Sequence, residues 1–330
     1  MKALVYTAPN EVTYRDEPEP SAAPGEVKIR VDAVGICGSD MHAYHGHDPR
    51  RNPPLILGHE LAGEILEGPG KGRRATVNPL ITCGYCEYCK QGRDNLCANR
   101  TMIGMTRAGG FADFVTTAAG SVIDIPQDMS VRAAALTEPA ATAVHAINVA
   151  MRSLVRPLPE CRVLVLGGGA IGLLAALLLR SYGVRHVTVA ETNALRRASA
   201  AKVADVAVYD PIAGPGPADN SMDFVIDAVG GKATRNAALA TVKPGGVVMH
   251  IGLMDWASEI DMRKLTLAEI TLIGTYTYAT ADLRAAVAAL HEGAFGDLAW
   301  VEERPLSEGA RAFRDLHEGR TASAKIVLRP

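Results

Sequence analysis

The sequence has no apolar run long enough to cross a bilayer. Its longest, AIGLLAALLL at 170–179, is about half of what a spanning helix needs and sits between glycines and Arg180. Net charge is nearly absent too. Lys and Arg number 34 against 36 Asp and Glu, giving −2, which removes the electrostatic case for nucleic acid or an anionic membrane as partner. There is no internal repeat and no low-complexity tract; IAGPGPADNS (212–221) reads as a surface loop. The opening MKALVYTAPN goes directly into a strand-like run, with no charged-then-apolar leader ahead of it. These absences predict a cytoplasmic protein. At 330 residues the chain can bury a substantial core and divide into two domains.

Cysteine is also scarce, except in one place. Of six cysteines, four lie in TCGYCEYCKQGRDNLC (82–97). Cys83, Cys86 and Cys89 recur every third residue and Cys97 follows eight later, so one loop can aim four thiolates at a tetrahedral zinc ion. Disulfides fit poorly, because cysteines three apart rarely reach the required geometry and the chain is far larger than a disulfide scaffold. Four thiolates fill the coordination sphere, which makes this a structural metal site.

The first third is rich in short β-type runs broken by Gly and Pro: EVKIRVDAVGI (26–36), FADFVTTAAG (111–120) and SVIDIP (121–126). Residues 138–150 read as a helix. From residue 161 strand and helix alternate: CRVLVLG, AIGLLAALLLRSYG, VRHVTVAE, ALRRASAAKV, DFVIDAVG (223–230) and GGVVMHIGL (245–253). Apolar strands separated by helices predict an α/β, doubly wound parallel sheet of the Rossmann type. EITLIGTYTY (269–278), helices around 281–292 and 307–318, and a last strand AKIVLRP follow. We read a dinucleotide-binding domain at 144–276, inserted into a β-rich domain made of 1–143 plus 277–330.

VLVLGGGAIG places Gly167, Gly169 and Gly172 in G-x-G-x-x-G register, after a strand and opening a helix. Ala170 and Ile171 fall in the first helical turn. Such glycines permit a tight turn and close approach of a pyrophosphate to the helix amino terminus. The next strand ends in Glu191, where a carboxylate would grip the ribose hydroxyls and repel a 2′-phosphate. NAD is therefore expected over NADP, although Arg196 and Arg197 stand where arginines accommodate that phosphate. Elsewhere GICGSDMH (35–42), LGHE (57–60) and LTEP (136–139) offer Cys37, His59 and a glutamate as an open zinc set, with one position left for substrate.

Taken in order, GICGSD, GHE, C-x2-C-x2-C-x7-C, TEP, GGGAIG and a strand ending in an acid resemble the zinc-dependent medium-chain alcohol dehydrogenases over nearly the whole chain. The pattern is closest to the polyol (sorbitol) and threonine dehydrogenase branch. The resemblance implies a GroES-like β-rich catalytic domain around the Rossmann sheet, two zinc ions per chain, and a homodimer or homotetramer. It implies Cys37 and His59 as catalytic zinc ligands with Glu60 third, and Glu138 as a further ligand or the holder of the zinc-bound water. The two glutamates are not ordered by sequence. It implies Ser39 on the substrate oxygen and His42 passing the proton outward. Asp40 orients His59, Thr142 lies against the nicotinamide and Lys325 approaches the cofactor phosphates. The implied reaction takes hydride from a secondary alcohol of a small polyol or sugar-like substrate, phosphorylated or not, to NAD. Two rivals remain: an NADPH-dependent aldehyde or ketone reductase, and a zinc-stapled NAD(H) sensor without turnover. His45, His47, Arg50 and Arg51, in YHGHDPRRNPP (44–54), are expected on a solvated loop near the substrate cleft.

Overall fold

The computed structural model describes residues 1–330 without a gap. The first third supplies β1 (Glu26–Gly35), β2 (Glu60–Glu67), β3 (Arg74–Val77), β4 (Phe114–Ala118) and β5 (Val122–Asp124). The middle supplies β6 (Arg162–Leu166), β7 (His186–Ala190), β8 (Ala207–Tyr209), β9 (Met222–Asp227), β10 (Val242–His250) and β11 (Thr271–Gly274). The chain ends with β12 (Val301–Pro305) and β13 (Lys325–Arg329). Helices that matter for the site are α1 (Gly38–Tyr44), α2 (Thr137–Met151), α3 (Ala170–Ser181), α4 (Ala194–Ala204), α5 (Thr280–His291) and α6 (Gly309–His317).

Strands β6 to β11 form one six-stranded parallel sheet in the order β8-β7-β6-β9-β10-β11. The order reverses between β6 and β9, so a crevice opens above their carboxyl ends, beside the glycine turn. The other sheet runs β5-β3-β2-β1-β13-β12, with β4 also on β1, and only β12 and β13 pair in parallel. The C-terminal strands thus return to the N-terminal sheet, giving the inserted arrangement read from the sequence.

The expected limit at 143/144 falls inside α2, and there is a packing reason. Ala33 and Ala62 of the first sheet and Val163 and Val165 of the second share one buried cluster with Ala140, Ala141 and Ala143 of this helix. Alanines keep the helix thin enough to be gripped from both sides, so core continues through it. The limit at 276/277 follows β11 by two residues.

Candidate active site

Strand β1 ends at Gly35, and Cys37 then caps α1, its sulfur accepting the Ser39 N–H at 3.5 Å. In register, Gly35 pairs with Glu60 on β2. A Cβ at position 35 would stand 2.1 Å from Glu60 Oε2, so glycine is what lets the glutamate lie across the strand. Cys37, His59 and Glu60 offer donor atoms all within 4.8 Å of one another. His59 and Glu60 are buried, and Asp40 is fully so.

Asp40 accepts the Cys37 N–H at 3.0 Å with one oxygen. Its other oxygen lies 3.5 Å from His59 Nδ1, and both atoms are buried without a hydrogen-bond partner. Burial works against charge on His59, but Asp40 and Cys37 outweigh it and raise its pKa well above the usual value. Glu138 accepts a 2.6 Å hydrogen bond from Tyr278 Oη, and burial pushes its carboxyl up to about 7. Glu60, the Cys37 thiol and the Glu138 carboxyl act on one ammonium, Lys325, while Asp40 faces His59. The acidic groups that hold the His59 proton would equally hold a divalent cation in its place. The donor set of a thiol, an imidazole and a carboxylate fits zinc, with Asp40 facing the imidazole's Nδ1. The group contains Glu60 and does not contain Glu138.

Lys325 does not stand where the sequence reading placed it. Its Nζ lies 2.7 Å from both Glu60 oxygens and donates to Ile36 O at 2.8 Å, with the residue only 2% exposed. Burial disfavours its charge and Glu60 restores it. The ammonium is committed to the metal pocket rather than to a cofactor phosphate.

The four cysteines of the loop likewise bring their sulfurs within 4.8 Å, and none is in a disulfide. The Tyr85 N–H, then that of Cys86, pulls the Cys83 thiol down to about 6, which favours the ligating thiolate. This loop also clasps the chain where it leaves the parallel sheet. Asn95 donates to Tyr276 O at 2.8 Å, Asp94 accepts from Thr280 through N–H and hydroxyl, and Arg100 lies 4.7 Å over the Tyr276 ring. Tyr278, the partner of Glu138, sits between those anchors.

At the glycine turn, Gly167 has φ 98° and a Cβ on Gly172 would stand 1.8 Å from Gly167 O, so both positions need glycine. Gly169 caps α3, and Ala170 and Ile171 open the helix. Glu191 is buried below the turn and accepts Gly168 N–H at 3.0 Å and Asn193 N–H at 2.7 Å. Arg196 closes over it at 3.1 Å, while Arg197 is tied to Glu191 O and Asp210. Thr142 lies one turn beyond Glu138 on α2, on the same buried face.

The 44–54 loop is less solvated than expected. His45 and His317 of α6 share a 2.9 Å hydrogen bond, and His47 packs near His45. Burial lowers the pKa of His42, with His47 adding to it. Arg50 pairs with Asp48 and stays half exposed, but the Arg51 side chain is wholly buried. Its guanidinium donates to Gly104 O, Ser39 O, Asp48 Oδ2 and, at 3.2 Å, Ser39 Oγ. Sequence reasoning missed Tyr278 altogether, because no motif marks a tyrosine 140 residues from its partner.

The chain matches the family models of the alcohol dehydrogenase GroES-like domain over residues 23–127 and of the zinc-binding dehydrogenase over residues 170–292. It is 31% identical to L-galactonate-5-dehydrogenase of Escherichia coli (strain K12), across 99% of this chain and 98% of that one. It is 31% identical to sorbitol dehydrogenase of Halalkalibacterium halodurans, across 100% and 99%. A solved zinc-binding dehydrogenase of Sinorhizobium meliloti 1021, bound to NADP, is 29% identical with a TM-score of 0.89, covering 100% of this chain and 99% of that one.

Proposed function

The chain belongs to the zinc-dependent medium-chain alcohol dehydrogenases, and from that premise we propose that it oxidises a secondary hydroxyl of a polyol or sugar-like substrate with NAD. The observation that carries the reading is the convergence of a half-buried Cys37 with buried His59 and Glu60, bordered by Glu138. When bound there, zinc polarises the alcohol oxygen and the nicotinamide accepts the hydride.

The chain's own residues do the rest. Asp40 fixes the His59 ring through Nδ1, leaving Nε2 for the metal. Lys325 holds Glu60 in place from behind. Ser39 Oγ receives the substrate's hydroxyl proton, and His42, three residues further along α1, carries it towards solvent. Glu138, with its carboxyl at about 7 and its other face on Tyr278, presents an acid-or-base oxygen to a neighbouring hydroxyl. Thr142 borders the nicotinamide, and the turn at Gly167, Gly169 and Gly172 takes the pyrophosphate. Glu191 favours NAD, with Arg196 as its counter-ion rather than a receiver of phosphate. The catalytic unit is taken as 1–143 plus 277–330 around a cofactor unit at 144–276.

The anionic, hydrogen-bonding pocket suits a substrate with several hydroxyls, since a simple alcohol leaves its buried polar groups unpaired. Arg51 is spent internally, so Arg50 is the cation of that loop left to meet a terminal phosphate. The test is absorbance at 340 nm with zinc-loaded protein, NAD or NADP, and a panel of sorbitol, xylitol, threonine, sugar-alcohol phosphates, ethanol and butanol. A higher kcat/KM for the simple alcohols refutes the polyol reading, and a higher value with NADP refutes the cofactor preference.

No helix is long and apolar enough to cross a membrane. The cytoplasm is inferred from the free cysteines, which suit a reducing compartment. A homodimer or homotetramer is inferred from β11, which ends the parallel sheet with an open edge beside exposed Leu253, Met254, Trp256 and Leu272.

A further inference from the structure

Arg51 is a buried cation that no step of the proton path given above accounts for. Its side chain has no solvent exposure. Four of the five N–H groups that a guanidinium carries are spent inside the protein, two of them on Ser39. The Gly104 carbonyl it holds belongs to a turn packed on Gly58, next to His59: a Cβ at 104 would stand 2.9 Å from Gly58 O. One guanidinium therefore ties the start of α1, with Cys37 and Ser39, to the segment that carries His59.

The chemistry of the contact matters more than its charge. A serine hydroxyl has one proton to give and two lone pairs. Arginine is a donor only and keeps its protons at any working pH, so it occupies one lone pair of Ser39 Oγ and never takes the Ser39 proton. The second lone pair stays free to receive the alcohol's proton, and the Ser39 O–H stays free to pass its own onward. A carbonyl or carboxylate in the same place would capture that O–H and break the path. Asp48, paired with Arg51 at 2.8 Å and with Arg50 at 2.8 Å, offsets part of the buried charge, and the hydrogen bond to Ser39 Oγ adds direction to what field remains.

We propose that Arg51 is a positioning residue for the dehydrogenase reaction, locking the Ser39 hydroxyl in the orientation that relays the substrate's proton. The inference rests on the role given to Ser39 above, and the experiment separates the two. Arg51→Met, Ser39→Ala and the double variant are prepared as full-length, zinc-loaded protein. Turnover is measured with NAD and the best substrate of the panel in H2O and D2O. Metal content and NAD binding are measured alongside. Arg51→Met is expected to lower kcat roughly 10- to 100-fold, the scale seen when an orienting partner is lost. KM, zinc content and NAD affinity should stay within about twofold, a split that reports transition-state positioning rather than binding. The solvent isotope effect on kcat should rise, and the double variant should be no slower than Ser39→Ala.

Losses that multiply in the double variant, or loss of zinc in Arg51→Met, overturn the proposal and leave Arg51 as scaffold. A Ser39→Ala enzyme as fast as the parent removes the proton path itself. A crystal structure of Arg51→Met then decides the orientation claim, which falls if Ser39 Oγ has not moved. Asp48 keeps Arg50 as partner in that variant, which protects the fold. If it nonetheless fails to fold, Arg51→Lys carries the same test: it should be slower than the parent with a raised solvent isotope effect, and parental kinetics overturn the proposal.

Discussion

The two ligand clusters of this chain differ in what surrounds them. The cysteine loop offers four chemically identical donors, three of them only partly buried, with no ionisable group needed to explain them. The Cys37 site offers three unlike donors, two of them fully buried, beside buried Asp40, Glu138, Lys325 and Tyr278. A cage needs only enough ligands to close a coordination sphere. A reacting site needs groups that orient the ligands, balance their charge and move protons. The difference between fastening and chemistry is written in the neighbours more than in the ligands.

The sharpest way to break the comparison is Cys37→Ser. It should remove one of two bound zinc ions and lower kcat/KM by roughly 10³-fold or more, since several kcal/mol of charge stabilisation goes with the metal. Its unfolding temperature should stay near that of the parent. A parent protein that binds only one zinc at saturation would end the two-site reading.

Cys89→Ser should do the opposite in kind. We expect the unfolding temperature to fall by on the order of 10 °C in calorimetry, with one zinc lost by metal analysis. Activity per folded molecule should fall less than for Cys37→Ser.

Asp40→Asn keeps both metals' ligands and removes the charge facing His59. Turnover should drop roughly 10- to 100-fold, with weaker retention of one zinc against a chelator. Unchanged chelator resistance would show that Asp40 is only the capping partner of the Cys37 N–H.

Smallest of all, Tyr278→Phe removes one hydrogen bond from Glu138 and should cost about tenfold in kcat, with two zinc ions retained.

The sequence made the fold legible because its evidence is periodic and local. The glycine turn, the alternation of apolar strands and helices after residue 161, and the return of AKIVLRP to the first sheet each depend on short stretches. The Cys37, His59 and cysteine-loop groupings were legible because metal ligands are few in kind and regular in spacing. What escaped depends on long-range placement. Lys325 meets Glu60 from 265 residues away, and Tyr278 reaches Glu138 across 140. Arg51 looks like a loop arginine until the turn at Gly104 covers it. The limit at 143/144 failed to mark a break in packing because α2 serves two cores with the same alanines.

The notch at Gly35 also constrains how this pocket can change over descent. With Glu60 in place, even a methyl group at 35 collides with its carboxylate. Nothing else about that backbone demands glycine, since its φ is not in the left-handed region. A side chain at 35 is admitted only if Glu60 swings its carboxylate aside, and that swing takes it off Lys325 and out of the group it forms with Cys37 and His59. The two positions are therefore coupled: an alanine at 35 reads out, in one methyl group, whether the glutamate must lie where it does.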